Sequence, residues 1–184
     1  MWLLEFTTED MTVVTIKYIQ FILCSVILIL MTQASVFGKQ QSHDDQQVNQ
    51  VLDSLHDAAS KAQKQRYLAL FTHDGVFMGT DDWERWSRPV EFDAYVDKGF
   101  KDGEGWTYHP EERHINYSND GNTAWFDEIT VSPKWGRFRG TGVLIRQADE
   151  WKIAHYALSF LVPNEAWSQV SAISTKAFED RKEK

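Results

Sequence analysis

The chain has one cysteine in 184 residues. A single thiol forms no disulfide within one molecule, so packing, hydrogen bonding and charge pairing must hold the fold together. Basic runs are also missing. Lys and Arg number 19 against 27 Asp and Glu, a formal net charge of −8, with no cationic stripe and no interleaving of basic and aromatic residues. Nucleic acid is therefore not an expected partner. There is no glycine-rich phosphate loop either, because Gly136, Gly140 and Gly142 fall in a hairpin and a strand and not between a strand and a helix. Ser159 stands in no nucleophile-elbow motif. His109 and His114 are separated by Pro110 and remote in sequence from His155, which is not the spacing of a metal site. No metal and no cofactor are expected.

The one long hydrophobic run is N-terminal. Met1 to Asp10 carry three acids and no base; Lys17 then precedes an apolar run from Tyr18 to Met31, followed by small residues through Gly38. This reads as a secretory signal peptide from Met11 to about Gly38, with residues 1–10 an extension ahead of it and cleavage after Ala34 or Gly38. An uncleaved anchor over Val13 to Met31 is the alternative, and would be the only tie to a membrane. Cys24 lies inside the run, not at a lipoprotein cleavage site. The expected organisation is a signal segment over 1–38, a polar linker over 39–47, a domain over 48–164, and a C-terminal helix with a charged tail over 165–184. The expected location is secreted or periplasmic.

What the chain does have is tryptophan, eight in all, a number that suits a lined pocket or a large interface. The most informative stretch is Asp120 to Asn164, three strands separated by turn signals at Asp120-Gly121-Asn122, Ser132 to Gly136, and Gln147 to Glu150. That is the pattern of an antiparallel meander. Alternation in its first strand puts Trp125, Asp127, Ile129 and Val131 on one face and Ala124, Phe126, Glu128 and Thr130 on the other. In the last strand Trp151, Ile153 and His155 share a face, opposite Ala154, Tyr156, Leu158 and Phe160. Neither strand has a clean polar side. Both faces of the sheet are therefore expected to be covered, one by helices and the other by a second copy of the chain, giving a homodimer. The ionisable groups in this apolar sheet are Asp127, Glu128, Arg137, Arg139 and His155, and buried charge must either pair or line a wet cavity.

Upstream, Val48, Val51, Leu52, Leu55, Ala59 and Ala62 form one face of an amphipathic helix, with Asp44 or Asp45 placed to cap it. A second short helix covers Gln65 to Phe71. His56 and His73, on or just after these helices, read as surface or satisfied histidines. A strand over Gly75 to Thr80 leads into Asp81-Asp82-Trp83-Glu84-Arg85-Trp86, a candidate pocket rim. Ser87 and Pro89 start a third helix with Phe92, Tyr95, Val96 and Phe100 as its stripe, and Trp106 to Ser118 is extended, with Arg113, Ile115 and Tyr117 on one side. After the meander comes a C-terminal helix carrying Trp167, Val170, Ile173 and Phe178. Helices first and a meander sheet after make an α+β domain.

This order, with Gly-Asn-Thr-Ala-Trp-Phe-Asp-Glu from Gly121, Arg-Gly-Thr-Gly-Val-Leu from Arg139 and Trp-Lys-Ile-Ala-His-Tyr from Trp151, resembles the SnoaL-like branch of the nuclear transport factor 2-like superfamily. The upstream Phe-Met-Gly-Thr-Asp-Asp-Trp-Glu-Arg-Trp from Phe77 and Gly-Trp-Thr-Tyr-His-Pro-Glu-Glu-Arg-His from Gly105 fit the same branch. The resemblance implies a cone-shaped, curved antiparallel sheet wrapped around the N-terminal helix, a pocket in the cone, and dimerisation through the outer face of the sheet. The branch's recurring positions correspond to Thr80, Asp81, Glu84, Trp86, Trp106, Asp127, Glu128, Arg139 and Tyr156, while His155 stands where relatives often carry Gln. The superfamily holds ketosteroid isomerase, scytalone dehydratase and polyketide cyclases beside many non-catalytic binding domains, so the fold does not choose among them.

Two functions follow. The first is an exported domain that binds a small hydrophobic or carboxylate-bearing molecule, its candidate ligand-lining residues being Asp81, Trp83, Glu84, Trp86, Trp125, Glu128, Arg139 and Tyr156. The second is a cofactor-free isomerase, dehydratase or cyclase. In it Asp127, desolvated by aromatic neighbours, is the general base, His155 the complementary acid or base, and Arg139 the group that stabilises an enolate or holds a carboxylate. A closed ion pair from Arg139 to Asp127 or Glu128 would leave neither acid free for a substrate.

Overall fold

The computed structural model describes residues 43–182 together with Phe21 and Ser25. Apart from those two residues, the expected signal peptide lies outside the described residues. Among the described residues no helix is long and apolar enough to cross a membrane. The chain divides into two compact units, residues 1–46 and 47–184. In the first, Phe21 and Ser25 are helical, with the Ser25 hydroxyl donating to the Phe21 carbonyl at 2.8 Å. Asp44 and Asp45 are helical too, so neither occupies the cap position expected from the sequence.

The second unit opens on helix α1, residues 47–60, followed by α2 (Lys64–Ala69), β1 (Phe71–Met78), β2 (Arg85–Ser87), α3 (Glu91–Gly99), β3 (His109–Tyr117), β4 (Thr123–Ser132), β5 (Gly136–Gln147), β6 (Glu150–Phe160) and α4 (Trp167–Lys182). The α+β order expected from the sequence is the one observed. Three elements differ in detail. The strand expected over Gly75 to Thr80 runs from Phe71 to Met78. The second helix stops at Ala69 because Phe71 already pairs with Ile153 in the sheet. The start of the third helix is displaced to Glu91, since Arg85–Ser87 pairs with Val76–Met78 as an edge strand.

The six strands form one sheet in the order β2-β1-β6-β5-β4-β3. Every pairing is antiparallel except that of β1 with β6, which is parallel. Register shifts in β1, β3 and between Val143 and Leu144 bend the strands and add twist, and so curl the sheet. The apolar stripe of α1 fills the concave side: Val48, Leu52, Leu55, Ala58 and Ala59 form one buried cluster with Phe126, Leu144, Ile153 and Tyr156. Burying side chains of this size stabilises by roughly 1.5–3 kcal/mol each, which is what lets a domain without disulfides hold its shape.

The shift between Val143 and Leu144 also corrects an expected facing. Val143 pairs with His155 but Leu144 pairs with Ile153, so Ala154 is an extra residue in β6. Alternation resets there. Trp151 and Ile153 are buried on the concave side together with Tyr156 and Leu158, and His155 no longer shares their face.

Candidate functional site

Inside the cone is a cavity of about 410 Å³ lined by Phe77, Gly79, Thr80, Glu84, Tyr95, Trp106, Tyr108, Trp135, Phe138, Leu158 and Phe160. Its walls come from β1, the loop after it, α3, the segment before β3, the β4–β5 turn and the ends of β5 and β6. Below it is a void of about 30 Å³ between Leu55, His56, Tyr67, Trp106, Tyr108 and Tyr156, room for about one water. The rings are stacked in series: Phe77 lies between Phe92, at 5.1 Å and 9°, and Tyr156, at 5.5 Å and 4°. Such packing fixes the walls, which set aromatic faces beside the polar groups of Thr80 and Glu84.

Charge enters the deep end through Glu128, which is fully buried on the concave side of β4. His56 Nε2, from α1, contacts its Oε1 at 2.7 Å, and the Tyr156 hydroxyl donates to the same oxygen at 3.0 Å. Arg113 is directly across the β3–β4 ladder from Glu128. Its Nε donates to Oε2 at 2.9 Å and its Nη2 lies 2.8 Å from that oxygen as an ion pair. The Arg113 Nη1 continues to Asn49 Oδ1 at 2.8 Å and Asp53 Oδ1 at 2.9 Å, tying the sheet to α1. Burial pushes the Glu128 carboxyl up, but the hydrogen bond and charge of His56 and the charge of Arg113 outweigh it, leaving it below the usual carboxylate value. An ionised carboxylate only accepts, so Nε2 of His56 carries the proton in this contact. Burial, with the Glu128 charge beside it, pushes the Tyr156 hydroxyl well above its ordinary value. Gly140 makes the arrangement possible: a Cβ there would lie 2.3 Å from the Tyr156 hydroxyl and 3.1 Å from Glu128 Cγ.

The mouth is built differently. Glu84 Oε2 accepts from the backbone N–H groups of Thr80, at 2.7 Å, and Asp81, at 3.0 Å, which pins the carboxylate at the rim. Burial, then the charge of Glu84, pushes the nearby Tyr95 hydroxyl up to about 12 and raises that of Tyr108. Outside this rim a second hollow, of about 560 Å³, is lined by Trp83, Glu84, Trp86, Tyr95 and Trp106 among others. Asp81 faces away from the cavity into an ion pair: Arg181 of α4 donates to its two oxygens at 2.9 Å each and to Asp82 at 3.0 Å. That guanidinium holds the Asp81 carboxyl well below the usual range. Among the described residues no group of three or more His, Cys, Asp or Glu could hold a metal ion.

A sequence profile of the SnoaL-like domain matches residues 48–163. The chain belongs to the SnoaL-like domain family. Solved structures agree in fold. One is a domain of unknown function with a cystatin-like fold from Nostoc punctiforme, 12% identical, with a TM-score of 0.61 over 77% of this chain and 93% of that one. Another is a candidate dehydratase of the nuclear transport factor 2-like family from Streptomyces avermitilis, 17% identical, with a TM-score of 0.57 over 66% of this chain and 99% of that one. A third is a nuclear transport factor 2-like protein of unknown function from Pseudomonas putida, 14% identical, with a TM-score of 0.57 over 68% of this chain and 92% of that one. No curated protein matches the chain in sequence.

Within this SnoaL-like domain the residues picked from sequence fall into four places. Glu84 lines the cavity, Tyr156 the void beneath it and Glu128 the floor behind that, while Trp83 and Trp86 line the outer hollow. Asp81 is at the rim but engaged by Arg181. Asp127, Trp125, Arg139 and His155 are on the convex side of the sheet, the face opposite Glu128, Phe126, Gly140 and Tyr156, and they do not line the cone cavity. Asp127 sits cross-strand from His114 and Thr141. Nε2 of His155 contacts the Met78 sulfur at 3.3 Å, and burial, followed by the charge of Arg85, lowers its pKa. The ion pair expected from Arg139 is made instead by Arg113.

The residues that sequence reasoning did not place at the site are Arg113, Tyr95, Tyr108 and His56, the last read as a surface or satisfied histidine; Trp106, a recurring position of the resemblance, lines the cavity. A signal existed for His56, which lies four residues after Leu52 and three before Ala59, inside the apolar stripe of α1. For Arg113 the signal was its alternation with Ile115 and Tyr117.

Proposed function

We propose that this SnoaL-like domain binds a small, largely apolar molecule with a planar ring in its cone, without turning it over. The observation that carries the reading is the contrast between an aromatic cavity of about 410 Å³ and a floor whose carboxylate already has both oxygens engaged. A general base needs a lone pair aimed at the substrate and a pKa near the working pH. Glu128 has both oxygens engaged and a lowered pKa. A carboxylate-bearing ligand is disfavoured by Glu84 at the rim, so the hydrophobic half of the expectation is the one retained. In this reading the domain works outside the cytoplasm after removal of its signal peptide. It also pairs with a second copy through the convex face, where Trp125 is 46% and Met78 37% exposed.

One observation favours catalysis. His56 borders the deep void while Glu128 holds its Nε2, the arrangement of an oriented base. In that case the enzyme is a cofactor-free isomerase, dehydratase or cyclase with His56 in the role expected for Asp127. A thermal-shift screen against neutral ring compounds and their carboxylates decides first. Ligand bound only to the folded state stabilises it by roughly 2.7 kcal/mol at a hundredfold excess over Kd. Neutral rings should raise Tm and carboxylates should not; silence across the panel overturns the binding reading. Conversion of a bound compound, abolished in His56→Gln, establishes the enzyme.

A further inference from the structure

We infer that the hollow outside the cone mouth is a subsite for an N-alkylated ammonium group. Its walls are aromatic and set at right angles. Trp86 lies flat on Tyr95, with centroids 3.7 Å apart and planes at 17°, and Tyr95 lies on Trp106 at 5.1 Å and 27°. Trp83 stands across Trp86 at 5.8 Å and 88°. Trp83 is nonetheless 62% exposed: a large indole is held in water at the edge of a hollow of about 560 Å³. Trp83 thus presents π surface that the fold does not itself use, beside a Trp86 that packs against the core and on Tyr95.

The electrostatics select what fits there. Glu84 and Glu91 border the hollow against one cation, Lys98, leaving one negative charge. Oε2 of Glu84 is pinned by two backbone N–H groups, and among the described residues no hydrogen bond is made to its Oε1. Protein cations sit over Trp135, Trp151 and Phe178, but among the described residues none sits over Trp83 or Trp86. An anion would be repelled. A neutral group in the hollow would leave the Glu84 charge unanswered. A primary ammonium or guanidinium would find one open acceptor, Oε1 of Glu84, and would turn its other N–H groups against aromatic faces that satisfy them poorly. A tri- or tetra-alkylated ammonium has no such donors and a diffuse charge, the kind of cation that aromatic faces attract.

Glu84, Tyr95 and Trp106 line the cone cavity as well as the hollow. One ligand can therefore place an apolar body in the cone and its ammonium in the hollow. The body's position rests on the proposed binding function, whereas the ammonium subsite stands on its own residues.

The test titrates the purified protein, by tryptophan fluorescence, with tetramethylammonium, with choline and with choline's uncharged tert-butyl isostere. N-phenylnaphthylamine reports separately on the cone. Both cations should saturate the signal, with the isostere roughly tenfold weaker. Trp83→Ala should weaken choline roughly tenfold and leave N-phenylnaphthylamine binding unchanged, and Glu84→Gln should weaken choline but not the isostere. Choline and isostere binding alike overturn the subsite. N-phenylnaphthylamine binding without any cation binding overturns the subsite and leaves the cone reading standing; binding of neither overturns both.

Discussion

One glutamate stands behind the floor of the cone cavity and another at its mouth, and the two are treated oppositely. At the floor, Glu128 meets an imidazole, a phenol and a guanidinium, all from other elements, and both its oxygens are taken. At the mouth, Glu84 is held through one oxygen by two backbone amides, and aromatic faces surround it where partners would be. The first arrangement joins α1, β3, β4 and β6 and is the business of the fold. The second spends its fixed charge on open space. Charge that is closed supports the structure, and charge that is left open is available to a ligand.

The largest effects should come from opening the floor. Arg113→Ala or Glu128→Ala leaves a buried partner uncompensated, and each should cost about 3–5 kcal/mol in urea denaturation. A loss below about 1 kcal/mol for either would mean that the floor is hydrated and the contrast with the mouth is false. Gly140→Ala should follow at about 1–3 kcal/mol, because its Cβ would displace the Tyr156 hydroxyl from Glu128.

The pH dependence sharpens the same contrast. The folded pKa of Glu128 is depressed from 4.5, so its contribution is fully present above that value and is lost as pH falls through the folded pKa. Wild type should lose more stability than Glu128→Gln between neutral pH and the region below 4.5. Parallel curves for the two proteins would show that Glu128 is not held ionised. The smallest effect is expected at Arg181. α4 buries no residue of its own and its C-terminal end is tied to the rim through Asp81 and Asp82. Exposed ion pairs contribute little, so Arg181→Ala should leave Tm unchanged while speeding proteolysis within Trp167–Lys182.

Much of this was legible in the sequence, and the misses have particular causes. Alternation separated Asp127 from Glu128 correctly, because neighbouring strand residues must face opposite ways. It could not say which side meets α1, since both faces are rich in apolar residues, and the acid beside Trp125 was the wrong one to place in the pocket. Gly140 across from Glu128 held a clue, as it leaves room on the concave side for Tyr156. His155 was misplaced relative to Trp151 by a bulge at Ala154, which has no sequence signature of its own. The Arg113–Glu128 pairing depends on β3 register, and that is shifted between Pro110 and Glu112. The stretch Asp81 to Trp86 stood out by composition, and the structure puts Glu84 at the cone cavity and Trp83 and Trp86 at the outer hollow.

The tryptophans make the central claim measurable in one experiment, because they are distributed among the surfaces in question. Indole N–H resonances, assigned by single Trp→Phe replacements, can be followed while N-phenylnaphthylamine is titrated into the protein. Trp106 and Trp135 line the cone cavity and Trp125 lies on the convex face. Saturable shifts of Trp106 and Trp135 with Trp125 unmoved are the predicted result. Shifts led by Trp125, or none that saturate, would contradict a ligand cavity in the cone.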